Sequence, residues 1–419
     1  MTNNTMAFHR QAGSLMCGQL RCSDLAQEFG TPLYVYNRAS IEYAWQEFAN
    51  ALAGTDHLIC YAVKANSNLA VLNTLARLGS GFDIVSLGEL KRVLAAGGQP
   101  SKIVFSGVGK SVREMSAALE AGIRCFNVES LAELDRLAEV AAAHGVVAPV
   151  SLRINPDVDA LTHPYISTGL KENKFGINMA DAMQVYRQAA ANASIDLQGI
   201  DCHIGSQLTS LEPYEDAIEL LMSMVDALAA EGINLSHIDV GGGQGIQYSE
   251  DETSLDIQAW AQCIRRAIGS RKLEILVEPG RYIVGPAGVL LTRVEYIKSN
   301  EDRHFAVVDA AMNDLIRPAL YSAHQDIETA ETCDHEPRYY DVVGPICESA
   351  DFLGKQRKLA VAQDELLCVR SVGAYGFVMS SNYNTRARAA EVMVDGDKAH
   401  LVRSREETEA LFAQEFLLP

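Results

Sequence analysis

The sequence contains no apolar run long enough to cross a bilayer, no CxxC pair, no internal repeat, no low-complexity tract and no surplus of positive charge. The first absence excludes a transmembrane helix, and a hydrophobic content of 48% implies a soluble chain with a large core. With a formal net charge of -19, nucleic acid and acidic membranes are excluded as expected partners, and any anion site must be built from local cations. The nine cysteines, at positions 17, 22, 60, 125, 202, 263, 333, 347 and 368, are odd in number and irregularly spaced. That pattern argues for reduced thiols rather than a disulfide frame or a zinc site, so no metal ligand set is read from the sequence. The N-terminal residues lack the basic start and apolar core of a signal peptide, and a cytoplasmic location is expected.

What is present is an alternation. At 419 residues two domains are expected. From about residue 55, short apolar runs read as strands over 58–63, 82–85, 103–105, 125–128, 150–154, 199–203, 237–240 and 273–277. Between them, apolar residues at i, i+3, i+4 spacing predict helices over 69–78, 87–96, 112–121, 131–143, 180–191 and 214–230. Eight strand-then-helix units predict a closed parallel (β/α)8 TIM-like barrel, in which catalytic residues collect at the carboxyl ends of the strands. Beyond Gly280 the texture becomes strand-like, over 289–297, 304–308, 339–343, 365–369 and 391–394. The expected organisation is therefore an N-terminal segment, 1–36, whose strand Leu33-Tyr34-Val35-Tyr36 joins the second domain; a barrel, 37–281; and a mainly β domain, 282–419.

The first strand runs into Cys60-Tyr61-Ala62-Val63-Lys64-Ala65-Asn66. A lysine at the end of a buried strand has a costly charge, so its pKa is expected to fall and its neutral amine to suit Schiff-base chemistry. Alone, such a lysine is equally a snorkelling strand end. After the sixth strand come His203 and Ser206, an imidazole that suits an aromatic ring face and a hydroxyl that suits a phosphate. After the seventh comes Gly241-Gly242-Gly243-Gln244-Gly245, whose backbone N–H groups suit an anion at the usual phosphate position of such barrels. After the eighth comes Glu278-Pro279-Gly280-Arg281, in which the carboxylate can hold a protonated pyridine nitrogen, although alone the tetrapeptide is also a plain turn. Four such groups in order after strands one, six, seven and eight imply pyridoxal 5′-phosphate. In the second domain Arg317-Pro318-Ala319-Leu320-Tyr321, the thiol and carboxylate of Cys347-Glu348, and Tyr375 in a glycine-flanked turn are candidates, each with a bland alternative as surface, core or packing residue.

The chain resembles the fold-type-III pyridoxal-phosphate decarboxylases through YAVKAN, GFDIVS, HPYISTG, NKFGI, HIGSQL, GGGQG, EPGR, RPALY, GPICESAD and GAYG, from about Thr31 to Glu391. The resemblance implies the barrel-plus-β architecture shared by alanine racemase and ornithine decarboxylase. It implies that Lys64 carries the cofactor, that His203 stacks on its ring and that Glu278 pairs with the ring nitrogen. Ser206, Gly243, the backbone over Glu278, Pro279, Gly280 and Arg281, and the Tyr375 hydroxyl would hold the phosphate. It also implies a homodimer with shared active sites, in which Cys347 and Glu348 come from the partner subunit and Lys174 pairs with Asp351 across the interface.

Within that family the arginines indicate the substrate. Ornithine and arginine decarboxylases resemble this chain but typically carry an aspartate after the tyrosine, where Ser322 stands here. Arg281 and Arg317 suit a distal carboxylate, because guanidinium grips carboxylate bidentately, and Glu348 suits a distal ammonium. The implied reaction is decarboxylation of meso-2,6-diaminopimelate to L-lysine and CO2, the last step of lysine biosynthesis, with His203, Lys64 and Cys347 at the chemistry and Arg281, Arg317, Tyr321, Glu348 and Tyr375 around the substrate. Alternatives left open are decarboxylation of ornithine, arginine or carboxynorspermidine, and a non-catalytic homologue. The loop from Asp157 to Asn173, with Pro, Gly and several polar residues, is expected to be mobile.

Overall fold

A computed structural model describes residues 8–158, 174–301 and 303–419. The HPYISTG motif, and the loop from Asp157 to Asn173 apart from its first two residues, lie outside these. Two compact units are present: one comprises Ala44–Ile246 and Thr253–Tyr282, the other the described residues up to Tyr43, Gln247–Glu252 and Ile283–Pro419.

The first unit is the barrel. Its strands are His57–Ala62, Gly81–Ile84, Ile103–Phe105, Cys125–Val128, Ala148–Asn155, Ile195–Asp201, His237–Asp239 and Glu274–Val277. Every neighbouring pair is parallel, and the eighth strand closes on the first through Ile275↔His57, Leu276↔Leu58 and Val277↔Ile59. The sequence-predicted strands are the observed ones to within a few residues at each end. Inside, Leu58, Cys60, Val104, Cys125 and Leu276 form one buried cluster. This filled interior is what makes the barrel a core and leaves only its rim for ligands.

The outer helices start where side chains can satisfy the free N–H groups of a first turn. Ser86 accepts from Glu89 N–H, Ser130 accepts from Glu133 N–H, and Ser111 with Glu114 forms a reciprocal capping box. The predicted helices are found at Leu69–Arg77, Leu87–Ala95, Val112–Ala121, Leu131–His144, Met179–Ala191 and Glu212–Ala230. Two further helices, Arg38–Ala51 and Ile257–Ile268, were not legible in the sequence. The second buries Ile257, Trp260, Ala261, Ile264 and Ile268, a helical stripe whose Trp260 meets Phe48 and Tyr214 edge-on.

The other unit is mainly β. A seven-strand path runs Phe352–Leu359, Arg338–Val343, His304–Val308, Gly288–Ser299, Leu33–Asn37, Ala390–Asp395 and Lys398–Arg403. Leu366–Val369 also pairs with Gly288–Ser299, and Ile327–Thr329 pairs with Leu366–Val369. Leu33–Asn37 lies antiparallel to Gly288–Ser299 and parallel to Ala390–Asp395, so this early strand is inside the β sheet. The N-terminal hairpin Phe8–Gln11 and Ser14–Cys17 and the helix Cys22–Phe29 join the same core through Phe8, Leu15, Cys17, Cys22 and Leu25, packed with Val35, Val289, Leu291 and Val392. No described helix is long and apolar enough to cross a membrane.

Candidate active site

Lys64 does not end a strand. The first barrel strand stops at Ala62, and Lys64 sits in the single 3-10 turn Val63–Ala65. Its amine donates to Asp83 Oδ2 at 2.7 Å; the lysine side chain is 35% exposed and the aspartate 0%. The buried carboxylate thus fixes the direction in which the amine points. Asp83 ends no motif of chemistry in the linear sequence. Its signal is a carboxylate inside the otherwise apolar strand Gly81–Ile84.

Backbone contacts bind the ends of the first, sixth, seventh and eighth strands into one rim. Ala62 N–H donates to Pro279 C=O, Glu278 N–H donates to Gly241 C=O, and Gly242 N–H donates to His203 Nδ1 at 3.1 Å. Lys64, His203, Ser206, Gly243, Glu278, Pro279, Gly280 and Arg281 are therefore gathered at one end of the barrel. Glycine is required at 242, where a Cβ would lie 2.2 Å from the Glu278 carbonyl oxygen and 3.6 Å from the His203 ring. At Gly243 φ is +95°, and a Cβ would lie 2.4 Å from the Gly205 carbonyl oxygen.

Because Gly242 donates to it, His203 Nδ1 is an acceptor and any ring proton belongs on Nε2. Burial, then the charges of Arg153 and Lys64, hold this imidazole well below its ordinary pKa, so it is neutral. Arg153, on the fifth strand, donates to Glu129 Oε1 at 3.1 Å and to the His203 carbonyl at 3.4 Å. Arg281 donates to Ser206 Oγ at 2.9 Å, so the guanidinium expected at a distal carboxylate here meets the hydroxyl expected at the phosphate.

Glu278 Oε1 accepts from Ser106 Oγ and from Asn127 Nδ2, both at 3.3 Å. Asp201, Asp239 and Glu278 bring a carboxylate oxygen each to within 4.8 Å of one another, and all three are buried. Burial first, then the charges of Asp239, Asp83 and Asp201, raises Glu278 well above the usual carboxylate range. Asp239 is pushed up to about 6, again mainly by burial. So much buried acid calls for a proton or a cation beside it. Ser106, Asn127, Arg153, Asp201 and Asp239 were missed in the linear reading. Each is a polar side chain at or near the carboxyl end of a barrel strand, where the linear sequence does not reveal what faces it.

Pyridoxal 5′-phosphate needs an amine for its aldehyde, an acid for its ring nitrogen, a flat neutral partner for its ring and donors for its phosphate. The rim offers Lys64, Glu278, His203 and the glycine loop with Ser206 and Arg281. A protonated pyridine would also supply the positive charge that the buried carboxylates call for, so the residues fit the group.

The remaining candidates belong to the β unit. Arg317 and Tyr321 bracket the short helix Arg317–Tyr321; Arg317 is buried, donates to the Tyr248 hydroxyl at 2.9 Å and lies 5.0 Å over its ring. Tyr248 is a further residue the sequence did not single out. Cys347 and Glu348 are exposed, and Glu348 accepts from the Tyr383 hydroxyl at 2.6 Å. Tyr375 is half-buried, with a left-handed φ of +56°. Asp351 is turned inward at 3% exposure, accepting from Met312 N–H and Ile346 N–H at 2.7 Å each. One oxygen serves Ile346 in its own loop and the other Met312 in a separate segment, while Lys174, the residue expected to meet Asp351 across an interface, is exposed and lies over the Phe175 ring.

Residues 38–285 match the family described as pyridoxal-dependent decarboxylase, pyridoxal binding domain. The chain is 60% identical to the diaminopimelate decarboxylase of Pseudomonas aeruginosa over 98% of its own length and 99% of that protein's. Among solved structures it is similar to diaminopimelate decarboxylase from Helicobacter pylori complexed with L-lysine (TM-score 0.91, 43% identity, covering 94% of this chain and 98% of that one). It is similar also to the M. jannaschii enzyme in co-complex with L-lysine (TM-score 0.95, 36% identity, covering 100% and 99%). A lysine-bearing barrel rim, a buried acid for a pyridine nitrogen and these likenesses agree: the chain belongs to the diaminopimelate decarboxylase family of pyridoxal-dependent decarboxylases.

Proposed function

We propose that this protein decarboxylates meso-2,6-diaminopimelate to L-lysine and CO2, using pyridoxal 5′-phosphate. The observation that carries the reading is the barrel rim, where backbone bonds from Ala62 and Glu278 and the bond from Gly242 N–H to the His203 ring draw together the segments that carry Lys64, His203 and Glu278, in a chain 60% identical to a diaminopimelate decarboxylase.

When bound, pyridoxal 5′-phosphate supplies an electron sink for the pair left at Cα as CO2 departs. The chain's own groups prepare that event. Lys64 presents the amine that holds the cofactor's aldehyde, and Asp83 steadies it between turnovers. Glu278, fixed by Ser106 and Asn127, holds the proton on the ring nitrogen. His203, kept neutral, presents a flat face without adding charge. Ser206, Gly243, the backbone from Glu278 through Pro279 and Gly280 to Arg281, and Tyr375 bind the phosphate. Cys347 Sγ delivers the proton that replaces CO2 at Cα. Arg317, with Arg281 and Tyr321, takes the distal carboxylate, and Glu348 takes the distal ammonium.

The protein acts as a homodimer with shared sites; the exposure of Cys347 and Glu348 on one chain supports their service to another. A cytoplasmic location is supported by nine cysteines that are all free thiols.

The test is turnover of purified, cofactor-loaded protein with meso-diaminopimelate, L-ornithine and L-arginine side by side, following CO2 and amine. A preference for diaminopimelate of roughly a hundredfold or more in kcat/KM is expected, since a site built for a carboxylate rejects a substrate lacking it. Preference for ornithine or arginine overturns the assignment of the arginines.

A further inference from the structure

A second group of ligating side chains lies in the β unit, among residues the proposed reaction does not use. Cys333 and His335 are in the segment between Ile327–Thr329 and Arg338–Val343, and Glu365 immediately precedes Leu366–Val369. Antiparallel pairing of Ile327–Thr329 with Leu366–Val369, extended by Ala330 N–H to Leu366 C=O at 2.8 Å, brings the two segments side by side. The Cys333 sulfur, a His335 ring nitrogen and a Glu365 carboxylate oxygen all lie within 4.8 Å of one another.

We propose that Cys333, His335 and Glu365 form a zinc site that clasps the segment after Ile327–Thr329 to the start of Leu366–Val369. The donor set decides the metal class. One sulfur, one imidazole and one carboxylate suit zinc and its borderline neighbours, whereas calcium and magnesium select oxygen ligands alone. Bond lengths of about 2.0 to 2.3 Å around a tetrahedral ion place ligand atoms roughly 3.5 Å apart, so atoms that lie within 4.8 Å need to close by no more than about 1.3 Å. His335 has room to do so, being half-exposed with its ring held by Glu365 Oε1 alone at 3.0 Å. Glu365 is already oriented, because its other oxygen accepts Ala362 N–H at 2.8 Å. Cys333 is partly buried, and its thiol donates to Ala360 C=O at 2.9 Å; on binding, that proton is released and the thiolate turns to the ion. Thiolate and carboxylate together neutralise a divalent ion, and a water on the exposed side completes four ligands.

The experiment uses metal-stripped, cofactor-loaded protein titrated with zinc chloride, and separately with cobalt chloride as a spectroscopic substitute. The expected result is one zinc per chain, bound at least roughly tenfold more weakly by Cys333→Ser and by His335→Ala. Cobalt should give a thiolate-to-metal charge-transfer band that Cys333→Ser lacks, and zinc should raise the unfolding midpoint of the parent protein more than that of either variant at the same zinc concentration. His335 is exposed, Cys333 is partly buried and both are outside the reaction, so unchanged turnover with diaminopimelate verifies that the variants are folded. Zinc binding by Cys333→Ser equal to that of the parent, or a cobalt complex without the thiolate band, overturns the proposal.

Discussion

Lys64 and Asp83 hold each other at 2.7 Å, the amine a third exposed and the carboxylate sealed from solvent. Removing the amine removes the point of attachment: Lys64→Ala should bind no cofactor covalently, losing both its visible absorbance and its turnover. Normal turnover in that variant would sink the assignment. Asp83→Asn keeps the shape and deletes the counter-charge. With that anchor gone the amine is held less firmly, so cofactor loading should slow by roughly tenfold, which a stopped-flow reconstitution series measures.

Arg317 owes its position to Tyr248, which offers both a hydroxyl and a ring face. Arg317→Met should lower kcat/KM for diaminopimelate by roughly a hundredfold, mostly through KM, because a distal carboxylate would be left unpaired. Tyr248→Phe keeps the ring and removes one hydrogen bond, so a loss of no more than about tenfold is expected. Steady-state kinetics of the two variants tests the ordering.

Cys347 is exposed and separate from the barrel rim in sequence and in unit. Cys347→Ala should retain the bound cofactor and slow the reaction after CO2 release. Run in deuterated water, it should place deuterium at Cε of lysine, the carbon that lost CO2, with reduced stereochemical fidelity, read by NMR. An unchanged rate with unchanged fidelity would take Cys347 out of the mechanism.

At the opposite end of the barrel from the active-site rim, His237 is fully buried and neither ring nitrogen has a hydrogen-bond partner among the described residues. Burial, with a smaller effect of Arg124, lowers its pKa to about 3. The unfolded chain therefore takes up a proton near pH 6.5 that the folded chain refuses. The stability from this group is whole above pH 6.5 and is lost progressively as pH falls toward 3. Relative to His237→Leu, the parent protein should lose about 2 kcal/mol between pH 7 and pH 5, measured by urea unfolding. Gly199→Ala should destabilise at every pH, since its Cβ would lie 2.1 Å from His237 Nε2.

The barrel was legible because its strands are short apolar runs and its helices keep a helical stripe over several turns. The gathering of Lys64, His203, Gly243 and Glu278 at one end of the barrel was legible, because each follows a strand end in linear order. The site was not legible where function depends on a partner across the sheet. Asp83, Asn127 and Arg153 are ordinary polar residues until barrel closure brings them to Lys64, Glu278 and His203 respectively, Asn127 from the opposite wall of the barrel. The Cys333 group escapes for a similar reason: Cys-x-His with a glutamate thirty residues further on leaves no CxxC trace. The N-terminal hairpin gave little periodicity to read, since each of its two strands is only four residues long.

The pairing of the eighth barrel strand with the first also fixes an order of events. Ala62 N–H finds its acceptor only at Pro279, so the turn bearing Lys64 is completed by residues made more than two hundred positions later. Such distant pairing makes closure a late step in folding. A nascent chain released before Glu278 has the lysine but neither the acid nor the last wall of the rim. Cofactor capture should thus report that the whole barrel has closed, and a stalled or truncated chain should emerge colourless.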